Sequence, residues 1–227
     1  KITISESIVP RVIVSLTSYG SRVTGGSLAY TIYSLLKQDM RAERVILWLS
    51  DEEFSDETLP NYLRFFKTYG LEVRYCEDMR SYKKLLPTLQ LAPDYDIITA
   101  DDDLYYARNH VESLFHWHEQ HPHCIISVAS RVPQVDDNQN LLPYSTWQLC
   151  KPMLEGVTNR YVVPLGGWGV YYPAGIMGNE VLQIDLARKL CPLADDIWFF
   201  MTGIIHGVEK HVGNQSQVPA YPTDLIR

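Results

Sequence analysis

The sequence predicts an α/β fold, a mostly parallel sheet flanked by helices, on three observations. Short apolar runs rich in β-branched residues recur along residues 11–128, helix-patterned stretches separate them, and an acidic triplet follows the fourth run directly. Such runs fit strands buried on both faces, as in a largely parallel sheet.

The runs are residues 11–15, 44–49 (Arg-Val-Ile-Leu-Trp-Leu), 71–75, 96–100 and 125–128. Between the first two, residues 27–38 carry Leu28, Ile32, Leu35 and Leu36 at helical spacing. Residues 59–69 have Pro60 at a first-turn position and end at Gly70, a helix-stop signal. Residues 82–91 and 109–121 supply two more helices, and the resulting alternation is that of a doubly wound sheet. Beyond residue 128 the pattern is irregular. Residues 136–140 read as a polar turn between strands, residues 166–172 are rich in glycine and aromatics, and residues 193–207 read as a helix. One domain spanning residues 1–227 is expected.

The net charge of −7 opposes nucleic-acid binding, which calls for a basic face. No apolar run reaches the roughly 18 residues that span a bilayer. Residues 1–10 show no signal-peptide pattern, and the chain opens on Lys1, so it is read as a trimmed piece. Cys76, Cys124, Cys150 and Cys191 form no C-x-x-C pair and are expected as reduced thiols. The expected location is cytoplasmic, at the inner face of a membrane reached through regions outside this chain.

Asp101-Asp102-Asp103 is the most informative stretch. In open α/β sheets ligands bind beyond the carboxyl ends of strands. On extended backbone alternate side chains point the same way, so Asp101 and Asp103 can converge on one ion. Two carboxylates with waters and phosphate oxygens suit Mg²⁺ or Mn²⁺. The bland reading is a solvated acidic turn. Two other functions compete: a Mg²⁺-dependent phosphotransferase or phosphatase using a D-x-D, and a non-catalytic glycan-binding module. Haloacid-dehalogenase-type phosphatases place their D-x-D after the first strand, with a Thr or Val that is lacking here.

The ordered motifs resemble the GT-A (Rossmann-like) glycosyltransferases, particularly bacterial surface-polysaccharide transferases. The resemblance rests on Val14-Ser15-Leu16-Thr17-Ser18-Tyr19 with Arg22, on residues 45–49 and on residues 80–87 (Arg-Ser-Tyr-Lys-Lys-Leu-Leu-Pro). It also rests on residues 98–105, ending Asp-Asp-Asp-Leu-Tyr, on Gly166-Gly167-Trp168-Gly169 and on Ala194-Asp195-Asp196-Ile197-Trp198. It implies an enzyme moving a sugar from a nucleotide-diphosphate sugar to a saccharide acceptor, with a nucleotide-sugar half (about 1–128) and an irregular acceptor half (about 129–227). By the same resemblance, Asp101 and Asp103 hold Mn²⁺ or Mg²⁺, Asp103 the more directly, and Asp102 faces the donor sugar or its ribose.

The remaining donor candidates are Thr17, Tyr19, Arg22, Lys83, Lys84 and Arg131. Tyr19 is placed to lie against a pyrimidine, which favours a UDP-sugar. The lysines open a helix, so a solvated face competes with contact to ribose or phosphate. No Gly-x-Gly-x-x-Gly or phosphate-binding G-K-[ST] occurs. Inverting transfer needs a base for the acceptor hydroxyl. Asp195 and Asp196 are the catalytic candidates; Asp195 is expected to cap the helix at 193–207 and Asp196, by the resemblance, to act as the base. Gly167 and Trp168 are expected on the acceptor side, with Tyr144 and Trp147 as weaker candidates and a core role competing for each tryptophan. His116, His118, His121 and His123 read as surface residues. A third metal ligand is open, with His206 and His211 the late candidates.

Overall fold

The computed structural model describes residues 5–149, 156 and 158–225, so Cys150 lies outside the described residues. The first half contains β1 (Ile8–Thr17), α1 (Gly20–Thr24), α2 (Leu28–Leu36), β2 (Arg41–Ser50), α3 (Asn61–Lys67), β3 (Leu71–Cys76), α4 (Leu86–Leu91), β4 (Asp96–Ala100), β5 (Leu104–Tyr106), α5 (His110–Gln120) and β6 (Cys124–Ser127). The second contains β7 (Ser130–Val132), β8 (Gln148–Leu149), β9 (Thr158–Asn159), β10 (Val163–Pro164), β11 (Val170–Tyr172), α6 (Ile184–Leu190), α7 (Asp195–Ile205), β12 (Glu209–Val212) and β13 (Ala220–Pro222).

The main sheet has eight strands in the order β3-β2-β1-β4-β11-β6-β12-β9. β1 lies parallel between β2 and β4, with Ser15 opposite Ile46 on one side and Thr99 on the other. Alternation along β1 explains why both faces must be covered. Val12, Val14 and Leu16 pack with Leu28, Ile32 and Leu35 of α2, whereas Ile13 turns the other way, into a cluster with Ile46, Trp48 and Ala92. The expected α/β architecture is therefore present, with all five predicted runs in this sheet.

Two details differ from the sequence expectation. β11 inserts between β4 and β6 and runs antiparallel to both, so the fourth and fifth predicted strands are not neighbours. The helix expected over 82–91 is also broken: Arg80–Lys84 form a 3-10 turn and α4 restarts at Leu86 with Pro87 in its first turn. Proline lacks an N–H and clashes with the preceding turn of a helix interior, so a helix carrying Pro87 must begin there. That break turns Lys83 and Lys84 inward, and both are buried.

The polar turn at 136–140 is present, with Asp136 accepting hydrogen bonds from the Asn138 and Asn140 amides at 2.9 and 2.8 Å. Cys76, Cys124 and Cys191 are free thiols. Among the described residues no helix is long and apolar enough to cross a membrane.

Candidate active site

The carboxyl ends of β1, β2, β3 and β4 open into a cavity of about 630 Å³. Thr17 ends β1, Glu53 follows β2, Asp78 follows β3, and Asp101 and Asp102 follow β4; Asp195 and Asp196 at the start of α7 line the same space. Tyr19 stands exposed at the rim, with the Arg22 guanidinium 5.5 Å from its ring centre. Thr17 is tied back by its hydroxyl, which donates to the Trp48 carbonyl at 2.9 Å.

The three triplet carboxylates have different surroundings. Asp102 is buried at 6% exposure and accepts from the Ser18 hydroxyl and from Arg22, both at 2.5 Å. Burial pushes its pKa up, opposed by the Ser18 and Arg22 hydrogen bonds. Asp103 is half exposed and pairs with Arg22 at 3.1 Å. Asp101 reaches the Lys84 ammonium at 3.2 Å. Its backbone N–H donates at 2.8 Å to the Tyr106 hydroxyl, which in turn donates at 2.6 Å to the Gly167 carbonyl. A buried phenol thus fixes the triplet against the glycine loop.

Lys84 is the electrostatic hub. Its side chain is 6% exposed, and its ammonium lies 3.0 Å from Asp195 and 3.8 Å from Asp196 as well as beside Asp101. Burial alone would lower its pKa, but the three carboxylates outweigh this and hold it well above the ordinary lysine value. Asp196, which also accepts from the Gly166 N–H at 3.1 Å, is pushed up to about 6 by burial against the opposing pull of Lys84. The capping role expected of Asp195 is not observed. Ala194 is the N-cap and no side chain caps the helix; Asp195 sits in the first turn and spends its carboxylate on Lys84.

Gly166–Trp168 form a 3-10 turn pressed against this cluster. A Cβ at Gly166 would lie 2.6 Å from the Lys84 ammonium and 2.7 Å from an Asp196 oxygen, and one at Gly167 would lie 2.6 Å from an Asp101 oxygen. Glycine is required here for close approach. Trp168 is half-buried and packs against the core.

The fold thus brings together Thr17, Tyr19, Arg22, Lys83, Lys84, Asp101, Asp102, Asp195 and Asp196 around one cavity, with Asp103 and Gly167 in contact with its walls. Lys83 pairs with Asp78 rather than standing free. Arg131 lies apart from the cavity lining: on β7 it donates to the Trp147 carbonyl at 2.6 Å and lies over Tyr144. His206 pairs with Glu180 at 2.6 Å, and His211 stacks on His121 at 3.7 Å. Neither lines the cavity. Sequence reasoning missed Ser18, Glu53, Asp78 and Tyr106. Tyr106 was one residue beyond a quoted motif, Ser18 lay inside another without being assigned a role, and Glu53 and Asp78 carried no spacing signal.

Among the described residues no group of three His, Cys, Asp or Glu side chains is arranged to hold a metal. Mg²⁺-like ions at phosphate sites commonly take only one or two carboxylates and complete their shell with phosphates and waters. Asp101 and Asp103 supply that number, Asp101 from the cavity lining and Asp103 from beside Arg22. The charge of the cavity, lined by six carboxylates against four cationic side chains, also suits a cation. A diphosphate entering such a cavity meets net repulsion that a divalent cation relieves.

No family model matches the sequence, and no curated protein matches it. Solved structures do resemble it. The crystal structure of S. aureus TarS 1-349 in complex with UDP is similar with TM-score 0.53 at 14% identity, covering 86% of this chain and 55% of that one. Another crystal structure of TarS 1-349 gives 0.53 at 13%, covering 89% and 60%. The mannosyltransferase PcManGT from Pyrobaculum calidifontis, in complex with GDP-Man and Mn²⁺, gives 0.56 at 13%, covering 94% and 57%. The chain therefore spans under two thirds of the length of these structures. The likeness establishes the fold: a GT-A fold, as the ordered motifs imply.

Proposed function

We propose that the chain is a metal-dependent glycosyltransferase that passes a sugar from a nucleotide-diphosphate sugar to a saccharide hydroxyl with inversion, in the building of a polysaccharide. The observation that carries this reading is the meeting of Asp101, Asp195 and Asp196 around Lys84 at the carboxyl ends of the sheet. It joins a cation-binding carboxylate to a candidate base in one cavity. Neighbours that bind UDP and GDP-Man support a nucleotide-diphosphate donor.

Tyr19 and Thr17 flank the nucleoside at the end of β1, and a UDP-sugar is the first choice because Tyr19 suits a pyrimidine. Asp101 and Asp103 would hold Mn²⁺ or Mg²⁺, which supplies Lewis-acid stabilisation of the departing diphosphate. Asp102 fixes Arg22 at the cavity wall. Asp196 takes the acceptor hydroxyl's proton as that oxygen bonds to the anomeric carbon and the bond to the diphosphate breaks. A carboxylate suits this position because an oxocarbenium-like transition state gains from nearby negative charge. Residues 1–128 supply the donor contacts, and the glycine loop and α7 face the acceptor.

The test is a screen of UDP- and GDP-sugars for slow hydrolysis with Mn²⁺, Mg²⁺ or excess chelator. One donor should be consumed with metal and spared with chelator, and Asp103→Asn should weaken metal-dependent nucleotide binding. Full turnover in chelator would remove the metal from the reading, and consumption of no donor would remove the transferase.

A further inference from the structure

The cations lining the cavity are not equivalent. Arg22 pairs with Asp102 and Asp103, Lys83 with Asp78, and Lys84 with three carboxylates. Arg80, exposed at the rim, has no carboxylate partner among the described residues. Its guanidinium makes one long hydrogen bond, 3.5 Å to the Pro192 carbonyl, on the chain leading into α7. A guanidinium offers five donors in a planar fork matched to phosphate and carboxylate. Arg80 therefore keeps most of its binding capacity unused inside an otherwise acid-rich site.

Its backbone is unusual as well. Arg80 has φ 52°, in the left-handed region that side-chain-bearing residues rarely adopt. The Asp78 carboxylate holds it there by accepting the Arg80 N–H at 3.0 Å. A second cavity of about 330 Å³ adjoins the first and shares Asp78, Arg80 and Pro192 with it, so Arg80 forms part of the wall between them. Arg188 also lines this second space, where it is occupied by Glu77 and the Asp78 carbonyl. Strained backbone persists where the surroundings over-determine it, and it clusters at ligand sites.

We propose that Arg80 is an oxyanion-binding residue set between the two cavities, taking a phosphate or carboxylate group. Two sources fit that chemistry: the diphosphate of the donor, from the first cavity, or an anionic group on the acceptor, from the second. The proposal rests on the glycosyltransferase reading only for the source of the anion.

Titration calorimetry on the full chain tests it with Arg80→Gly, Arg80→Met and Arg80→Lys. Melting temperature comes first: glycine suits the left-handed backbone, so Arg80→Gly should rise by about 2–4 °C. A fall would overturn the strain argument. One arm titrates UDP and GDP with Mn²⁺, with uridine and guanosine as uncharged controls. The other titrates inorganic phosphate into protein already saturated with nucleoside diphosphate and Mn²⁺.

Arg80→Gly and Arg80→Met should raise the Kd about tenfold in one arm, leave the nucleosides unaffected, and be partly rescued by Arg80→Lys. Loss in the first arm assigns the anion to the donor, and loss in the second assigns it to the acceptor. Unchanged affinity in both arms overturns the proposal. If the wild-type chain binds neither nucleotide, phosphate is titrated alone. Phosphate binding that disappears in Arg80→Met then upholds the oxyanion site while the transferase reading fails, and no phosphate binding overturns both.

Discussion

Replacing Lys84 with Met removes the ammonium while keeping most of the side chain's length and apolar bulk. It leaves Asp195, whose side chain is 10% exposed, without the one close counter-charge it has among the described residues. Breaking a buried ion pair by deleting one partner costs about 3–5 kcal/mol, because the remaining charge is desolvated and unpaired. For a chain of this size each kcal/mol shifts the melting temperature by about 2–4 °C, so Lys84→Met should melt about 6–20 °C lower at neutral pH. Arg44→Met is the control. Arg44 pairs with Glu72 at 2.6 Å, but their side chains are 22% and 33% exposed. Such a solvent-reached pair is worth at most about 1 kcal/mol. Adding Asp195→Asn to Lys84→Met removes the stranded charge and should recover much of the loss. Differential scanning calorimetry reads all four proteins. A drop below about 3 °C in Lys84→Met, or no recovery in the double variant, would show that Lys84 is not the counter-charge of a buried cluster.

Asp196 makes activity and stability respond to pH in opposite directions. Its folded pKa of about 6 lies above the ordinary 3.8, so its contribution to stability is full below about pH 4 and is lost as pH rises through 6. A base must be ionised, so kcat should climb through the same range, and a pH–rate profile flat from 5 to 8 would count against it. Asp196→Asn should bind nucleotide about normally, turn over at least roughly a hundredfold more slowly, and lose that pH limb. Tyr106→Phe deletes the hydroxyl that joins the Asp101 amide to Gly167. The stranded buried groups should cost about 1–3 kcal/mol by calorimetry, with turnover falling as the triplet and glycine loop separate.

How much of this was legible in the sequence depended on burial. β1, β2 and β4 declared themselves because strands covered on both faces are continuously apolar, as in Val12-Ile13-Val14 and Ile97-Ile98. β11 was hidden because its Val-Tyr-Tyr is only three residues long and follows a glycine run. Its pairing is decided by distant partners rather than local pattern. Asp195 and Asp196 were found as a pair, but two adjacent acids in a first helical turn look alike in sequence. Only the position of Lys84 shows that the first is an ion-pair partner rather than a cap. Lys83 and Lys84 were equally indistinct. The break imposed by Pro87 sends one to Asp78 and the other among three carboxylates.

The insertion of β11 beside β4 also sets a timetable for synthesis. β3, β2, β1 and β4 can pair with one another once residue 100 has emerged, but the far edge of β4 lacks its folded-state partner until residues 170–172 arrive. At about 5–20 residues per second that interval lasts roughly 4–14 s. During it the Ile97-Ile98 strand presents open backbone and apolar side chains, the setting in which strands join the wrong neighbour. Substitutions that hinder the seating of β11, such as a bulky residue at Gly169, where φ is 101° and a Cβ would lie 2.5 Å from the His110 ring, should thus lower the yield of soluble chain. Gly169 would then be a residue whose importance is felt on the ribosome as well as in the finished catalyst.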